Sequence, residues 1–348
     1  METIRVGFVG LGGICRQRHV PGLQKIPGVE LVAVANRSRK SSEQAAREYG
    51  IPNVCDEWHD LIGRDDIDAV VIGTWPYMHR EISVAALKAG KHVFCQARMA
   101  VDYPEARAMY DAARRAHRVA MLCPVPIGLA ADATVARFLR DERLGPVRLV
   151  RVQSFSDAYA DPETPMNWRK DHRLSGLNMH TLGMYIEVIH RWLGWTESVC
   201  ASMQTFTPER VDEAGERIPI QIPDQVLMTA NMEGDFPVQY AVSTAVRHGH
   251  DSITLYGQNG TLHYDVATDQ LTYGATHAEK MEPVDIAPDD AYDVANWNVE
   301  QTFIDAIRSG TEYHPDFYDG LRYMQVIQAA YDSARENRVV HLHAPEGH

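Results

Sequence analysis

The chain has 348 residues, with 34 Lys+Arg against 47 Asp+Glu and a formal charge of −13 when histidine is neutral. That length suits two domains with cores that need no covalent staples, and 45% hydrophobic with 23% charged residues is the composition of an ordinary soluble globular protein. The acid excess argues against nucleic acid and membrane surface as main partners, because anionic phosphate and lipid do not attract a net-negative chain, and no run approaches the ~18–20 apolar residues of a membrane span.

Residues 4–9 (IRVGFV) form a short apolar run ended by Gly10, and Glu30–Ala35, Ala69–Ile72, His92–Cys95 and Ala120–Cys123 repeat it. Runs apolar on both faces suit strands buried in a parallel sheet. Helical stretches fall between them at Ile14–Lys25, Ser41–Tyr49, His79–Ala89 and Pro104–Arg118, with Gly50 and Gly90 placed to end helices. This alternation predicts a doubly wound α/β domain over residues 1–123. Residues 124–348 read as an α+β domain with a mostly antiparallel sheet: a helix at Ala130–Asp141, a strand at Val147–Ser156, a helix at Met179–Leu193, then alternating strands. Phe236, Val238, Tyr240 and Val242 share one strand face, Ile253 and Leu255 another, and Asn259-Gly260 supplies a tight turn. Residues 285–293 read as an acidic loop, and helices close the chain at Trp297–Arg308 and Tyr318–Arg335.

The N-terminal Met1–Arg5 has neither the basic nor the apolar region of a secretory signal. Cysteines 15, 55, 95, 123 and 200 are scattered and contain no C-x-x-C. They predict reduced thiols and a cytoplasmic protein, with no disulfide frame or zinc site. His248-x-His250 and His341-x-His343 each offer two imidazoles without a third ligand, so no metal is expected.

Gly10-Leu11-Gly12-Gly13-Ile14-Cys15 directly follows the first strand and opens a helix. A dinucleotide site asks for glycine at the tight turn, glycine where the diphosphate meets the backbone, and a small third residue where helix packs on strand. Gly10 and Gly12 fill the first two roles and Cys15 the third; Gly13 and Ile14 start the helix whose N–H groups face the phosphates. After the second strand comes Asn36-Arg37-Ser38, with no acid to repel a 2′-phosphate. Arg37 and Ser38 favour NADP(H), although Asn36 leaves NAD(H) open.

Together with Val71–His79 (VIGTWPYMH), Ala89–Cys95 (AGKHVFC), Trp168-Arg169, Tyr256–Leu262 (YGQNGTL), Asp319–Tyr323 and Ala329–Ala334, these pieces resemble the glucose–fructose oxidoreductase / inositol dehydrogenase (Gfo/Idh/MocA) family along nearly the whole chain. The resemblance implies a Rossmann-type parallel sheet followed by a C-terminal open-faced sheet that supports homodimers or homotetramers. It also implies hydride transfer between a nicotinamide and a carbinol carbon of a sugar or cyclitol. It puts Thr74, Trp75, Pro76, His79 and Gln96 beside the cofactor. This chain departs from the family at the catalytic positions. Gln96-Ala97-Arg98 stands where Glu-Lys-Pro is usual, and aligning Ser175–Glu187 on Gly183 leaves Thr181 and Tyr185 near the expected acid and base, with His180 one residue off.

Oxidising a carbinol needs a group to take the hydroxyl proton. Arg98 stays protonated and can only bind an anion or steady an alkoxide. His180 is the side chain there whose ordinary pKa suits the task, and Tyr185 would need a cation such as Arg98 to serve as base. His180, Met184 and Glu187 would share a helix face. Arg169 and Asn178 are further candidate contacts for substrate, and Lys170 is a fallback base or a solvated lysine. Two other functions remain open at this point: a glycoside-cleaving enzyme that oxidises and re-reduces its substrate with bound NAD(P), and a non-catalytic nucleotide- or sugar-binding homologue.

Overall fold

A computed structural model describes residues 3–124, 129–212, 214–286 and 298–345. Two compact units emerge, Met1–Pro126 with Asn298–Leu321, and Ile127–Trp297 with Arg322–His348.

In the first unit six parallel strands, β1 (Ile4–Val9), β2 (Val29–Ala35), β3 (Asn53–Val54), β4 (Ala69–Ile72), β5 (His92–Cys95) and β6 (Ala120–Leu122), lie in the order β3-β2-β1-β4-β5-β6. The chain builds outward from β1 in both directions, so the crevice between the carboxyl ends of β1 and β4 is the place where such sheets hold ligands. Val6, Phe8, Ala69, Val70, Val93 and Phe94 are almost wholly buried, as strands covered on both faces require. Helices α1 (Val20–Gln24), α2 (Arg39–Tyr49), α3 (Trp58–Ile62), α4 (Pro76–Lys88) and α5 (Tyr103–Ala116) connect them. Gly50 ends α2 in the left-handed conformation that glycine adopts at least cost. The helical segment expected over Ile14–Lys25 is present from Gly13 to Gln24, and it widens into a π turn at Cys15–His19, where both end residues are buried.

The sequence-based boundary also needs correction. Residues 298–321 return to the first unit instead of staying with the second. The helix Val299–Ser309 buries Val299, Phe303, Ile304 and Ala306 there, and Phe303 packs against Phe94 with ring centroids 5.4 Å apart. Pro315 O accepts from Leu122 N at 3.0 Å, and the Tyr313 hydroxyl accepts from Ala120 N at 3.0 Å, which covers the edge of β6.

The second unit contains α6 (Asp132–Arg140), β7 (Val147–Phe155), α7 (His172–Ser175), α8 (Leu182–Leu193), β8 (Thr196–Gln204), β9 (Glu209–Val211), β10 (Arg217–Pro219), β11 (Gln225–Met232), β12 (Pro237–Ser243), β13 (Ser252–Gly257), β14 (Gly260–Asp265), β15 (Gln270–Ala275), β16 (Glu282–Val284) and β17 (Val340–His341). Nine of these strands form one sheet in the order β16-β15-β14-β13-β7-β12-β11-β8-β17. β7 and β12 run parallel and their other neighbours antiparallel. The alternation read from the sequence is borne out: Val238, Tyr240, Val242, Ile253 and Leu255 are buried. The opposite face, including Arg151, Leu227, Thr229, Gln239 and Thr254, lines a trough of about 1100 Å³. The acidic loop expected at 285–293 falls almost wholly outside the described residues.

His190, on α8, is buried with its Nε2 3.0 Å from the Thr196 hydroxyl, and burial together with the Arg322 charge pushes its pKa down to about 3. The fold therefore favours neutral imidazole. The stability this gives is full above about pH 6.5 and is lost as pH falls toward 3. His190→Gln is expected to lower the thermal midpoint at pH 7.5 yet to flatten its fall between pH 6.5 and 4.5, read by calorimetry across that range.

Candidate active site

Gly10, at the end of β1, adopts a φ of +80°, and a Cβ there would lie 2.6 Å from Thr74 Cγ2 and 2.8 Å from Thr74 N. Close approach of two chains and a left-handed turn both demand glycine. Cys15 is fully buried, and a Cβ on Gly73 would come within 2.3 Å of its sulfur. The extra bulk at the third fingerprint position is thus absorbed by glycine on the facing loop.

These segments border a cavity of about 430 Å³ whose wall includes Gly10, Gly12, Asn36, Arg37, Glu57, Trp58, Thr74 and Trp75. Gly12 is informative. Its φ is not left-handed and a Cβ would meet nothing closer than 3.6 Å, so the chain itself does not require glycine. A ligand that must touch the backbone does. The buried Thr74 Oγ1 has no hydrogen-bond partner among the described residues, and the Arg37 guanidinium lies 5.9 Å from the Trp75 ring centroid. The cavity fits the diphosphate and adenosine half of a dinucleotide.

Several residues expected at the cofactor also brace the loops. Asn36 Oδ1 accepts from Leu11 N at 2.6 Å and its amide donates to Ser41 O at 3.1 Å, so the side chain ties the glycine loop to the start of α2. Ser38 caps α2 by accepting from Ser41 N at 3.3 Å. His79 is wholly buried, with Nδ1 2.9 Å from Arg98 O and Nε2 3.0 Å from Thr74 O. It joins two backbone segments, so direct contact with a cofactor is corrected to support of the loops that carry Thr74 and Arg98. Pro76 is buried in the first turn of α4, where its fixed φ suits the helix start. Gly13 and Ile14 begin the helical segment as expected. Gln96 follows β5, with Oε1 2.8 Å from His19 Nε2.

In the second unit His180 lies outside the helix. α8 starts at Leu182 with Thr181 as N-cap, and His180 precedes it with a φ of +41°, uncommon for a non-glycine residue. The shared helix face with Met184 and Glu187 therefore does not exist; Glu187 is buried and accepts from Arg191 Nε. Tyr185 is fully buried and donates to Asp251 Oδ2 at 2.6 Å. Burial and the adjacent carboxylate raise its pKa, so it keeps its proton; its partner is an anion, not the cation a tyrosinate would need. Asp251 Oδ2 also accepts from Ser154 at 2.9 Å, its Oδ1 from Phe155 N at 3.0 Å, and Ser154 Oγ lies 2.8 Å from the Thr181 hydroxyl. This network anchors the residue next to His180.

Asn178 is buried, and its amide donates to Ser175 O at 2.6 Å and so braces the turn. Arg169 is exposed, with its guanidinium 4.4 Å from the Trp168 ring centroid. Lys170 is not solvated: it is 3% exposed and donates to Asp224 Oδ1 at 2.6 Å and to the carbonyls of Pro223 and Ile222 at 3.0 and 3.3 Å. Desolvation lowers its pKa despite Asp224, yet all three protons are committed, so it is no base. Sequence reasoning missed Glu57 and Trp58, which the rule of strand carboxyl ends could have found after β3. It also missed Asp251, which meets Ser154 across 97 positions and carries no local signal. Among the described residues His314, Asp316 and Asp319 form the one cluster of metal-ligating types. Asp319 Oδ2 there accepts from His314 Nδ1 and Asp316 N at the start of the helix Phe317–Glu336.

Two family profiles match. The oxidoreductase family with an NAD-binding Rossmann fold matches residues 4–123, and the GFO/IDH/MocA C-terminal domain matches residues 133–263. The chain belongs to the GFO/IDH/MocA oxidoreductase family. Levoglucosan dehydrogenase of Pseudarthrobacter phenanthrenivorans is 24% identical, with 96% of this chain and 97% of the relative covered. Inositol 2-dehydrogenase of Pseudomonas savastanoi pv. phaseolicola is 25% identical, covering 97% and 96%. A solved levoglucosan dehydrogenase in complex with NADH and L-sorbose superposes with a TM-score of 0.90 at 22% identity, over 98% of this chain and 99% of that one. That likeness establishes the fold.

The two loop glycines of this family member are expected to separate. Gly10→Ala costs about 1–3 kcal/mol of stability through its left-handed φ and also removes dinucleotide binding. Gly12→Ala leaves the denaturation midpoint unchanged while binding is lost, read by calorimetric titration beside urea unfolding.

Proposed function

We propose that this enzyme is an NADP(H)-preferring oxidoreductase that transfers hydride between the nicotinamide and a carbinol carbon of a sugar, sugar derivative or cyclitol. The observation that carries the reading is Gly12, a glycine in the cavity wall that the chain does not need for its own folding. Family membership and relatives named as sugar and inositol dehydrogenases support the substrate class.

When bound, the nicotinamide supplies the hydride acceptor or donor. Gly10 and Gly12 hold the diphosphate with backbone groups. Arg37 gives the 2′-phosphate a guanidinium partner, in a loop where Asn36 replaces the acid that would repel it. Glu57 sits in the same wall, with its carboxylate capping α3. His180 takes the hydroxyl proton. Its left-handed backbone is kept in place by the Thr181–Ser154–Asp251–Tyr185 network. Arg98 steadies the alkoxide, and Arg169 offers donors to neighbouring hydroxyls.

Titration with NADP⁺ and NAD⁺ tests the cofactor assignment. Tighter NADP⁺ binding is expected, and Arg37→Ala is expected to lose about tenfold or more for NADP⁺ with little change for NAD⁺; tighter NAD⁺ binding in the parent enzyme overturns the preference. A panel of sugars and cyclitols with either cofactor is expected to give net absorbance at 340 nm. His180→Asn should lower turnover about 10²–10⁴-fold at unchanged cofactor affinity, and unchanged turnover removes His180 from the chemistry.

The trough on the open face of the nine-stranded sheet, with Leu227 45% exposed, supports assembly of this enzyme into a homodimer or homotetramer through that face. Sedimentation velocity is expected to give an oligomer, and Leu227→Lys to shift it toward monomer. The free cysteines support a cytoplasmic location.

A further inference from the structure

We propose that His19, held by Glu300, is a positioning residue that aims the Gln96 amide at the nicotinamide half of the bound dinucleotide; the inference rests on the dinucleotide reading above. His19 is wholly buried, in the π turn that follows the glycine loop. Its Nδ1 lies 2.5 Å from Glu300 Oε1, and its Nε2 lies 2.8 Å from Gln96 Oε1. Phe94 meets the ring edge-on at 5.0 Å between centroids. Imidazole orientation is therefore fixed at both nitrogens and on the ring.

Three segments distant in sequence converge on this chain of side chains: the helix after the glycine loop, the end of β5, and the helix Val299–Ser309. Room is made for it at Gly22, where a Cβ would lie 2.6 Å from Glu300 Oε2. A carboxylate 3% exposed in an apolar core is costly, and hydrophobic side chains of like volume would fill the space at least as stably. What such side chains cannot do is orient an amide.

Gln96 is the residue so oriented. It stands at the carboxyl end of β5, on the edge of the sheet where ligands bind. One end of its amide is held by His19, and the other end has no hydrogen-bond partner among the described residues. A fixed amide end there suits the ribose hydroxyls or the carboxamide of a nicotinamide nucleoside, groups that both donate and accept. Because His19 belongs to the same helical segment as Gly13 and Ile14, the helix that starts at the diphosphate-holding backbone also carries the ring that orients the Gln96 amide.

The test compares the better-bound of NADP⁺ and NAD⁺ with the matching ADP-ribose or its 2′-phosphate, which lack nicotinamide, by calorimetric titration of the full chain. Gln96→Ala is expected to lower the dinucleotide-over-fragment preference about three- to tenfold, the worth of one hydrogen bond. His19→Phe should lower it equally, and the double variant no further. Glu300→Gln, which keeps an acceptor for Nδ1–H, should restore what Glu300→Leu loses. Equal losses for dinucleotide and fragment in His19→Phe, or a preference untouched by Gln96→Ala, overturn the assignment. Should His19→Phe fail to fold, the Glu300→Gln and Glu300→Leu pair decides by the same criterion. A parent chain that binds neither dinucleotide overturns the nucleotide reading itself, a different result from intact binding with an unchanged preference.

Discussion

The first unit depends on two backbones meeting at the carboxyl ends of β1 and β4. Gly10 turns with a positive φ against Thr74, at a distance where a methyl group would clash with both the side chain and the backbone nitrogen of Thr74. Asn36 then pins Leu11 from the neighbouring strand end, and His79 joins the Thr74 and Arg98 carbonyl groups from beneath. The cavity keeps its wall because polar side chains tie the loops around it to one another. Buried polar groups must find partners, and here those partners are the loop backbones that a ligand would otherwise disturb.

The second unit uses the same currency differently. Lys170 and Arg210 are both buried and flank the Tyr159 ring, at 4.9 and 5.2 Å from its centroid. Lys170 binds Asp224 and two carbonyls, while Arg210 donates to the carbonyls of Tyr159, Asp161 and Thr164. Two cations thus cross-link the 156–171 loop to the segment before β11, and the Trp168-Arg169 pair rides on that fixed loop.

Much of the fold was legible because its causes are local. Runs of apolar residues on both faces mark buried parallel strands, period-two alternation marks the sheet of the second unit, and the glycine loop declares itself by position after β1. The failures are equally physical. Residues 179–193 have helical spacing, but the positive φ at His180 delays the helix to Leu182. Nothing beside Lys170 in the sequence tells a base or a solvated lysine from the buried cation it is, since its three acceptors lie more than fifty positions away. The return of residues 298–321 to the first unit rests on Phe303 meeting Phe94 and Glu300 meeting His19, pairings no window of sequence contains. Asp251, the carboxylate that Tyr185 faces, is likewise outside any local pattern.

The sulfur of Cys15 seated over Gly73 changes how the dinucleotide fingerprint should be read. A methyl on residue 73 would meet that sulfur at 2.3 Å and the Gly10 carbonyl oxygen at 2.5 Å, so one glycine serves both the third fingerprint position and the turn that ends β1. The atom that the fingerprint spares on the helix is here spared on the wall the helix packs against, and filling residue 73 would press on the helix start and on the glycine turn together.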